Sequence, residues 1–278
     1  GLYAGTEHTA AQARLVPVLN SPPQIARWAA FCRGEDFLGE CVVHVDTGMN
    51  RLGLTPAEFD VLMSDADGFV GLYPLALMSH LACADEPGHP MNELQRTRFA
   101  SALAAFRSKF PDAKASFCNS AGVFLSAAYH YDLVRPGIAL YGSNPTPAAA
   151  NPMVPVVRLM AKIVQVRRVD QSAPVGYGAT VSAPDGAKLA TASIGYADGV
   201  IRAWGPSGHG YIDGIRVPVI GRVSMDLTIF DVSNVPDSSL HPDASVEIIG
   251  SQQTIDDHAR ESGTLGYEIL TKLGARYH

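Results

Sequence analysis

A chain of 278 residues, 47% of them hydrophobic and with a formal net charge of −6, has apolar content for one large core or two smaller ones, which excludes a disordered polypeptide and favours two soluble units. Its lysines and arginines are scattered, not blocked, so nothing marks a nucleic-acid or acidic-membrane partner, and no apolar run approaches the roughly 20 residues of a membrane span. Cys32, Cys41, Cys83 and Cys118 form neither a C-x-x-C pair nor a dense framework, and residues 1–9 lack the basic start and apolar stretch of a signal peptide, which together point to free thiols in a cytoplasmic protein.

Up to about residue 145, short β-rich runs alternate with helical ones. Residues 15–19 read as a strand, after which Ser21 caps a helix with Pro22 in its first turn and Gly34 beyond its end. Residues 41–45 form the next strand. Thr55-Pro56-Ala57-Glu58 reads as a capping box with proline at the first helical position, and Phe59, Leu62 and Met63 supply the buried face. Further strand-like runs cover 70–78, 115–118 and 133–141, with a long helical run over 92–110. Alternating β and α predicts a parallel sheet or barrel. From Asn144 to Pro155 the composition shifts to Pro, Ala and Asn, the signature of a linker, so a β/α domain over 1–146 and a mostly-β domain over 147–278 are expected. The second has strand-like runs at 156–169, 188–194, 210–220, 227–232 and 245–249, then helices over 255–262 and, capped by Thr264, over 265–273.

The chemistry-bearing segments sit where strands end. His44-Val45-Asp46-Thr47-Gly48-Met49-Asn50-Arg51-Leu52-Gly53-Leu54 delivers an arginine and a carboxylate to one glycine-bent strand end, where barrel enzymes keep their chemistry. Ser120 and Gly137-Ile138 follow two later strand-like runs, positions suited to a phosphate cradle of backbone N–H groups. Either alone reads better as a helix cap or a turn; both together, in this order, favour the cradle. Arg135 lies two residues before Gly137, so strand alternation aims both to one side. Tyr177, flanked by Gly176 and Gly178, is exposable to a cleft, and a phenol with a reference pKa of about 10 becomes a useful base only beside positive charge.

With Met78-Ser79-His80-Leu81-Ala82-Cys83-Ala84-Asp85, Cys118-Asn119-Ser120-Ala121-Gly122, Val134-Arg135-Pro136-Gly137-Ile138-Ala139-Leu140-Tyr141-Gly142, Val175-Gly176-Tyr177-Gly178-Ala179-Thr180, Ile194-Gly195-Tyr196-Ala197-Asp198-Gly199 and Gly221-Arg222-Val223-Ser224-Met225-Asp226, the chain resembles the alanine racemase family. The resemblance runs through nearly the whole chain. It implies an α/β plus β fold, a (β/α)8 TIM-type barrel followed by a mostly-β C-terminal domain, and pyridoxal 5'-phosphate (PLP) as cofactor. L- and D-alanine would be interconverted through a PLP aldimine by two bases, supplying D-alanine for peptidoglycan. By the same resemblance Ser120, Gly137, Ile138 and the Tyr267 hydroxyl hold the PLP phosphate, and Arg135 faces the pyridine nitrogen. Tyr177, linked to His80 and Arg135, takes the proton of the L-enantiomer. Arg51 and the Met225 N–H meet the substrate carboxylate, Asp226 orients the entrance, and Tyr196, Asp198 and Arg202 line the access corridor and a homodimer seam. Sites shared between subunits are implied.

Two departures from the family pattern stand out. His44 occupies a position where many members carry a carbamylated lysine that steadies the arginine matching Arg51. The Schiff-base lysine at the end of the first barrel strand is absent, and Lys109, Lys114, Lys162, Lys188 and Lys272 match nothing catalytic in the family. About five β/α units precede the change of pattern, three short of eight, so the chain is expected to open near the end of the third unit of a longer protein. Competing readings are a broad-specificity racemase acting also on serine, a non-catalytic PLP-binding barrel protein, and a metal site at His80-x-x-Cys83 with His89.

Overall fold

A computed structural model describes residues 1–205 and 207–277. The chain divides into two compact units, Gly1–Gly137 with Pro145–Ala150, and Ile138–Asn144 with Asn151–His278. In the first, a short helix α1 (Glu7–Gln12), absent from the sequence expectation, precedes β1 (Val18–Leu19), α2 (Pro22–Gly34), β2 (Gly39–His44), α3 (Pro56–Ser64), β3 (Leu72–Met78), α4 (Pro90–Lys109) and β4 (Lys114–Ser116). The strands form one parallel sheet in the order β1-β2-β3-β4, each neighbouring pair joined by a helix as parallel pairing requires.

Local chemistry explains these elements. In α2, Ile25, Trp28, Ala29 and Cys32 are buried, one stripe at helical spacing. The helix runs through Gly34, so that glycine closes the last turn instead of following it, and Ser21 stands at the N-cap without a side-chain cap bond. The Thr55–Glu58 capping box forms as expected: Thr55 Oγ1 accepts from Glu58 N at 3.3 Å while the Glu58 carboxylate accepts from Thr55 N at 2.9 Å. Trp28, Phe99, Phe106, Phe117, Leu54 and Leu77 fill the core between sheet and helices, with Phe99 and Phe117 stacked at 4.8 Å. The strand expected over 133–141 is instead a single bridge, Ser116 to Leu133, followed by a 3-10 turn over Ile138–Tyr141. Pro136 has no N–H to give a ladder, and the Arg135 N–H goes to the Cys118 carbonyl at 2.9 Å.

The second unit is built on a six-stranded sheet in the order β10-β9-β12-β5-β8-β11: β5 (Leu159–Arg168), β8 (Lys188–Ala192), β9 (His209–Ile212), β10 (Ile215–Pro218), β11 (Thr228–Asp231) and β12 (Ser245–Ile249). All its pairings are antiparallel. The run expected over 210–220 is a hairpin of β9 and β10, bent at Asp213 and Gly214, both at positive φ. A further hairpin of β6 (Ala173–Val175) and β7 (Val181–Ala183) was not anticipated; its turn carries Tyr177. Helices α5 (Ile255–Glu261) and α6 (Gly266–Lys272) close the unit. Thr254 and Asp257 form a capping box on α5, whereas Leu265, not Thr264, is the N-cap of α6; the Thr264 hydroxyl is bonded to Glu268. Trp204, Phe230, Ile194 and Val246 centre the core, beside a carboxylate, Glu261, that accepts from Trp204 Nε1 and Gln253 Nε2 at 3.0 and 2.8 Å. No helix among the described residues is long and apolar enough to cross a membrane.

Candidate active site

Parallel register decides which residues meet in the first unit. His44 pairs with Met78, and Met78 with Ser116, so the segments following β2, β3 and β4 all leave the sheet at its carboxyl-terminal edge. Arg135 crosses this edge. Its guanidinium donates to Ser116 Oγ at 2.6 Å and to the Ser79 carbonyl at 2.7 Å, and reaches His80 Nδ1 at 3.4 Å. Arginine has no acceptor, so His80 Nδ1 pairs with it only while that nitrogen is unprotonated. Asn119 backs that ring, with Nδ2 3.4 Å from His80 Nε2. The Asn119 amide is itself fixed, donating to the Leu81 carbonyl at 3.2 Å and accepting from Gly122 N at 2.9 Å.

The charge balance follows from burial. Burial, then the Arg135 guanidinium and then that of Arg51, pull His80 down to about 4, so the ring is neutral at pH 7 and the positive charge of the cluster rests on Arg135. A cation already in contact disfavours the imidazolium. His44 falls to about 4 for the same reasons, burial first and then Arg135, and its Nδ1 is bonded to Asn20 Oδ1 at 2.7 Å. A neutral imidazole held by an amide cannot take the place of a carbamate anion. Arg51 makes no hydrogen bond or ion pair among the described residues; its loop is held instead by the Asp46 carboxylate, which accepts from the N–H groups of Gly48, Met49 and Asn50 at 2.8, 2.9 and 2.8 Å.

Ser120 and Gly137 are brought together as the sequence suggested: the Gly137 N–H donates to Ser120 Oγ at 2.7 Å. Among the described residues a methyl group at Gly137 would come within 4 Å of Ser120 Oγ alone, at 3.9 Å, so the main chain is open to an approaching group. Hydroxyl, bare backbone and a nearby guanidinium form a donor set that fits an anionic phosphate and an acceptor ring nitrogen. Ile138 is buried at the start of its 3-10 turn and is grouped with the second unit. His89 Nδ1 accepts from Met91 N at 3.1 Å as the cap of α4, and no cluster of three or more His, Cys, Asp or Glu suited to a metal occurs among the described residues.

In the second unit, Tyr177 is 72% exposed on a turn in which Gly176, Gly178 and Ala179 have φ of 69°, 78° and 47°. Glycine is needed at the first two because left-handed backbone is costly for other residues. Met225 and Tyr267 are each 55% exposed, Tyr196 is half-exposed, and Tyr267 lies in the first turn of α6. Two loops are tied together: Tyr196 N donates to the Ser224 carbonyl at 3.0 Å and Ala197 N to the Met225 carbonyl at 2.9 Å. Asp226 pairs with Arg276 at 2.7 Å. Asp198, expected to line a corridor, is only 6% exposed; its carboxylate turns inward to accept from Gly195 N at 2.9 Å and to pair with Arg276. Arg202 is exposed on a 3-10 turn.

Family models described as "Alanine racemase, N-terminal domain" and "Alanine racemase, C-terminal domain" match residues 2–145 and 156–278. The chain belongs to the alanine racemase family. An alanine racemase of Rhodospirillum rubrum is 50% identical over 98% of this chain and 72% of its own length. A catabolic alanine racemase of Mesorhizobium japonicum is 46% identical over the whole chain and 71% of its own length. Among solved structures, the alanine racemase of Bartonella henselae with covalently bound pyridoxal phosphate superposes with a TM-score of 0.88 at 36% identity, covering 100% of this chain and 76% of that one. That of Streptomyces coelicolor gives 0.91 at 32% identity, covering 99% and 75%.

The chain has five lysines. Lys109 donates to the Asp65 carbonyl, Lys188 is buried against Asp237 and the Val235 carbonyl, and Lys272 pairs with Glu268. Lys114 opens β4, and Lys162 lies in β5. Sequence reasoning missed Ser116, Asn119 and Asn20, which hold Arg135, His80 and His44, and also Arg276. Asn119 was visible within Cys118-Asn119-Ser120; the others carried no local signal.

Proposed function

We propose that this protein interconverts L- and D-alanine on PLP as a homodimer in the cytoplasm, with the Schiff-base lysine supplied from outside the 278 residues and the β/α unit completed to a full barrel by further strands. The observation that carries the reading is the buried Arg135–His80 pair beside the Ser120–Gly137 donor set, in a chain of this family. When bound, PLP supplies the electron sink that acidifies the substrate Cα–H. Everything else falls to the polypeptide. Ser120, Gly137, Ile138 and Tyr267 grip the phosphate. Arg135, which cannot surrender its proton at ordinary pH, would meet the ring nitrogen as a hydrogen-bond donor and leave that nitrogen an unprotonated acceptor. His80, backed by Arg135, would hold the phenol of Tyr177 by a hydrogen bond, and Tyr177 would take the Cα proton on one face. Arg51 and the Met225 N–H fix the substrate carboxylate, and Asp226 and Tyr196 shape its approach. The outward presentation of Tyr177 and Met225 supports sites shared between subunits. D-alanine for peptidoglycan is the product's use.

The test takes the complete protein with PLP and follows optical rotation of L-alanine, D-alanine, serine and lysine, then maps the borohydride-reduced cofactor adduct by peptide mass. Racemisation fastest on alanine, with the adduct on a lysine other than Lys109, Lys114, Lys162, Lys188 and Lys272, is the expected result. An adduct on one of those five, or binding of PLP without turnover, would overturn it; comparable rates on serine would replace it with a broad-specificity racemase.

A further inference from the structure

Two loops that the racemase reading places beside the substrate converge on a residue to which that reading gives no task. Arg276 lies with Nε 3.1 Å from Asp198 Oδ1 and Nη1 2.7 Å from Asp226 Oδ1, so one planar fork spans carboxylates from separate loops, a geometry guanidinium suits and ammonium does not. The adjacent Tyr277 hydroxyl donates to the Asp198 carbonyl at 2.5 Å. Asp198 is not free to swing, because it is buried and its second oxygen holds Gly195 N. Asp226 directly follows Met225.

Steric contacts complete the picture. A methyl on Gly195 would collide with the Met225 carbonyl, and one on Gly199 with the Lys272 carbonyl at the end of α6. The turn of residues 195–199 is therefore pressed between the Met225 loop and the end of α6. Arg276 adds charge across the first of these contacts, joining Asp198 of the turn to Asp226 of the Met225 loop. Half-exposed ion pairs contribute little to global stability, and the value of this arrangement lies in where it holds the loops.

We propose that Arg276 is a positioning residue that clamps the Tyr196 turn to the Met225 loop, so that the Met225 N–H and the Tyr196 ring meet the substrate carboxylate in one fixed arrangement. The substrate part of this proposal rests on the racemase reading; the clamp itself does not. The test compares Arg276→Gln and Arg276→Lys with wild type in the complete protein. Backbone hydrogen exchange should quicken by roughly fivefold or more in peptides spanning 195–200 and 222–228 of Arg276→Gln, with β5 and β8 unchanged. Arg276→Lys, able to reach one carboxylate only, should loosen one of the two peptides. KM for alanine should rise roughly tenfold in Arg276→Gln while kcat stays within about threefold, the mark of lost ground-state positioning. Wild-type exchange in both peptides would overturn the clamp, as would looser loops with an unchanged KM. A wild-type protein that does not racemise alanine would sink the activity reading, while the exchange result would still decide whether the clamp exists.

Discussion

Ser120 and Tyr177 are held by their units in opposite ways. Ser120 is 2% exposed, bonded to Gly137, and sits near a guanidinium spent on Ser116 and Ser79; Tyr177 stands out from its hairpin and makes no side-chain hydrogen bond among the described residues. The bonds of Arg135 to Ser116 and Ser79 and of Gly137 to Ser120 are all made within the first unit, so the geometry of that cluster is set before any ligand arrives. The second presents its functional side chains outward on loops braced from behind, by Asp198, Arg276 and the contacts of the 195–199 turn. A change in the first unit should therefore cost stability and function together, and one at an outward residue of the second should cost function alone.

The sharpest way to break that contrast is Tyr177→Phe. Removing the phenol should lower kcat by about 10³-fold while the thermal midpoint stays within about a degree, because nothing in its own unit leans on the hydroxyl. Solvent deuterium should still wash into the Cα of D-alanine but no longer into that of L-alanine; persistent exchange with L-alanine would remove Tyr177 from the base role. Next in size is a pH effect common to both units. His258 is 1% exposed, and burial, then the neighbouring His209, pull it down to about 4. Its unfolded value is near 6.5, so the unfolded chain takes up the proton first. Stability is full above about pH 6.5 and declines as pH falls towards 4, by about 3 kcal/mol for this residue. His44 and His80 act in the same direction, and urea titrations at pH 7.5 and 4.5 should show it; equal stability at the two values would refute the burial argument.

Ser120→Ala should join the two kinds of loss. It leaves the Gly137 N–H without its acceptor, a cost of about 1–2 kcal/mol, and should weaken PLP binding about tenfold, readable by absorbance titration and thermal shift on the same sample. Smallest is Thr55→Ala, which removes the cap of α3, where the hydroxyl bonds with Glu58, and should cost about 1 kcal/mol with no change in KM; a change in KM would show that the first unit transmits local strain to its sheet edge.

How much of this was legible in the sequence depended on whether the signal was local. The Thr55-Pro56-Ala57-Glu58 box declares its own hydrogen bonds, and α3 begins where it says. Leu133 to Tyr141 misled because apolar residues over that stretch imitate a buried strand, whereas Leu133 and Val134 are exposed and Pro136 interrupts any ladder. The β6–β7 hairpin was hidden by strands of three residues each, too short for alternation to register. At the site, Ser120, Gly137 and Arg135 were readable from their order along the chain. That His80 is neutral was not, since it follows first from burial and then from Arg135 lying across its ring nitrogen, a contact between residues 55 apart. Asp198 was expected in an access corridor by resemblance, and what turns its carboxylate inward is Gly195 N together with Arg276, which is 78 positions further on.

The hairpin that carries Tyr177 has one more implication. With three of four successive residues in left-handed backbone, the ring is aimed by main-chain chirality, and neighbouring side chains have little say in where it points. Repacking around the phenol would leave its direction almost untouched, whereas a single β-branched residue at 176 or 178 would re-lay the turn and swing the ring away from its target.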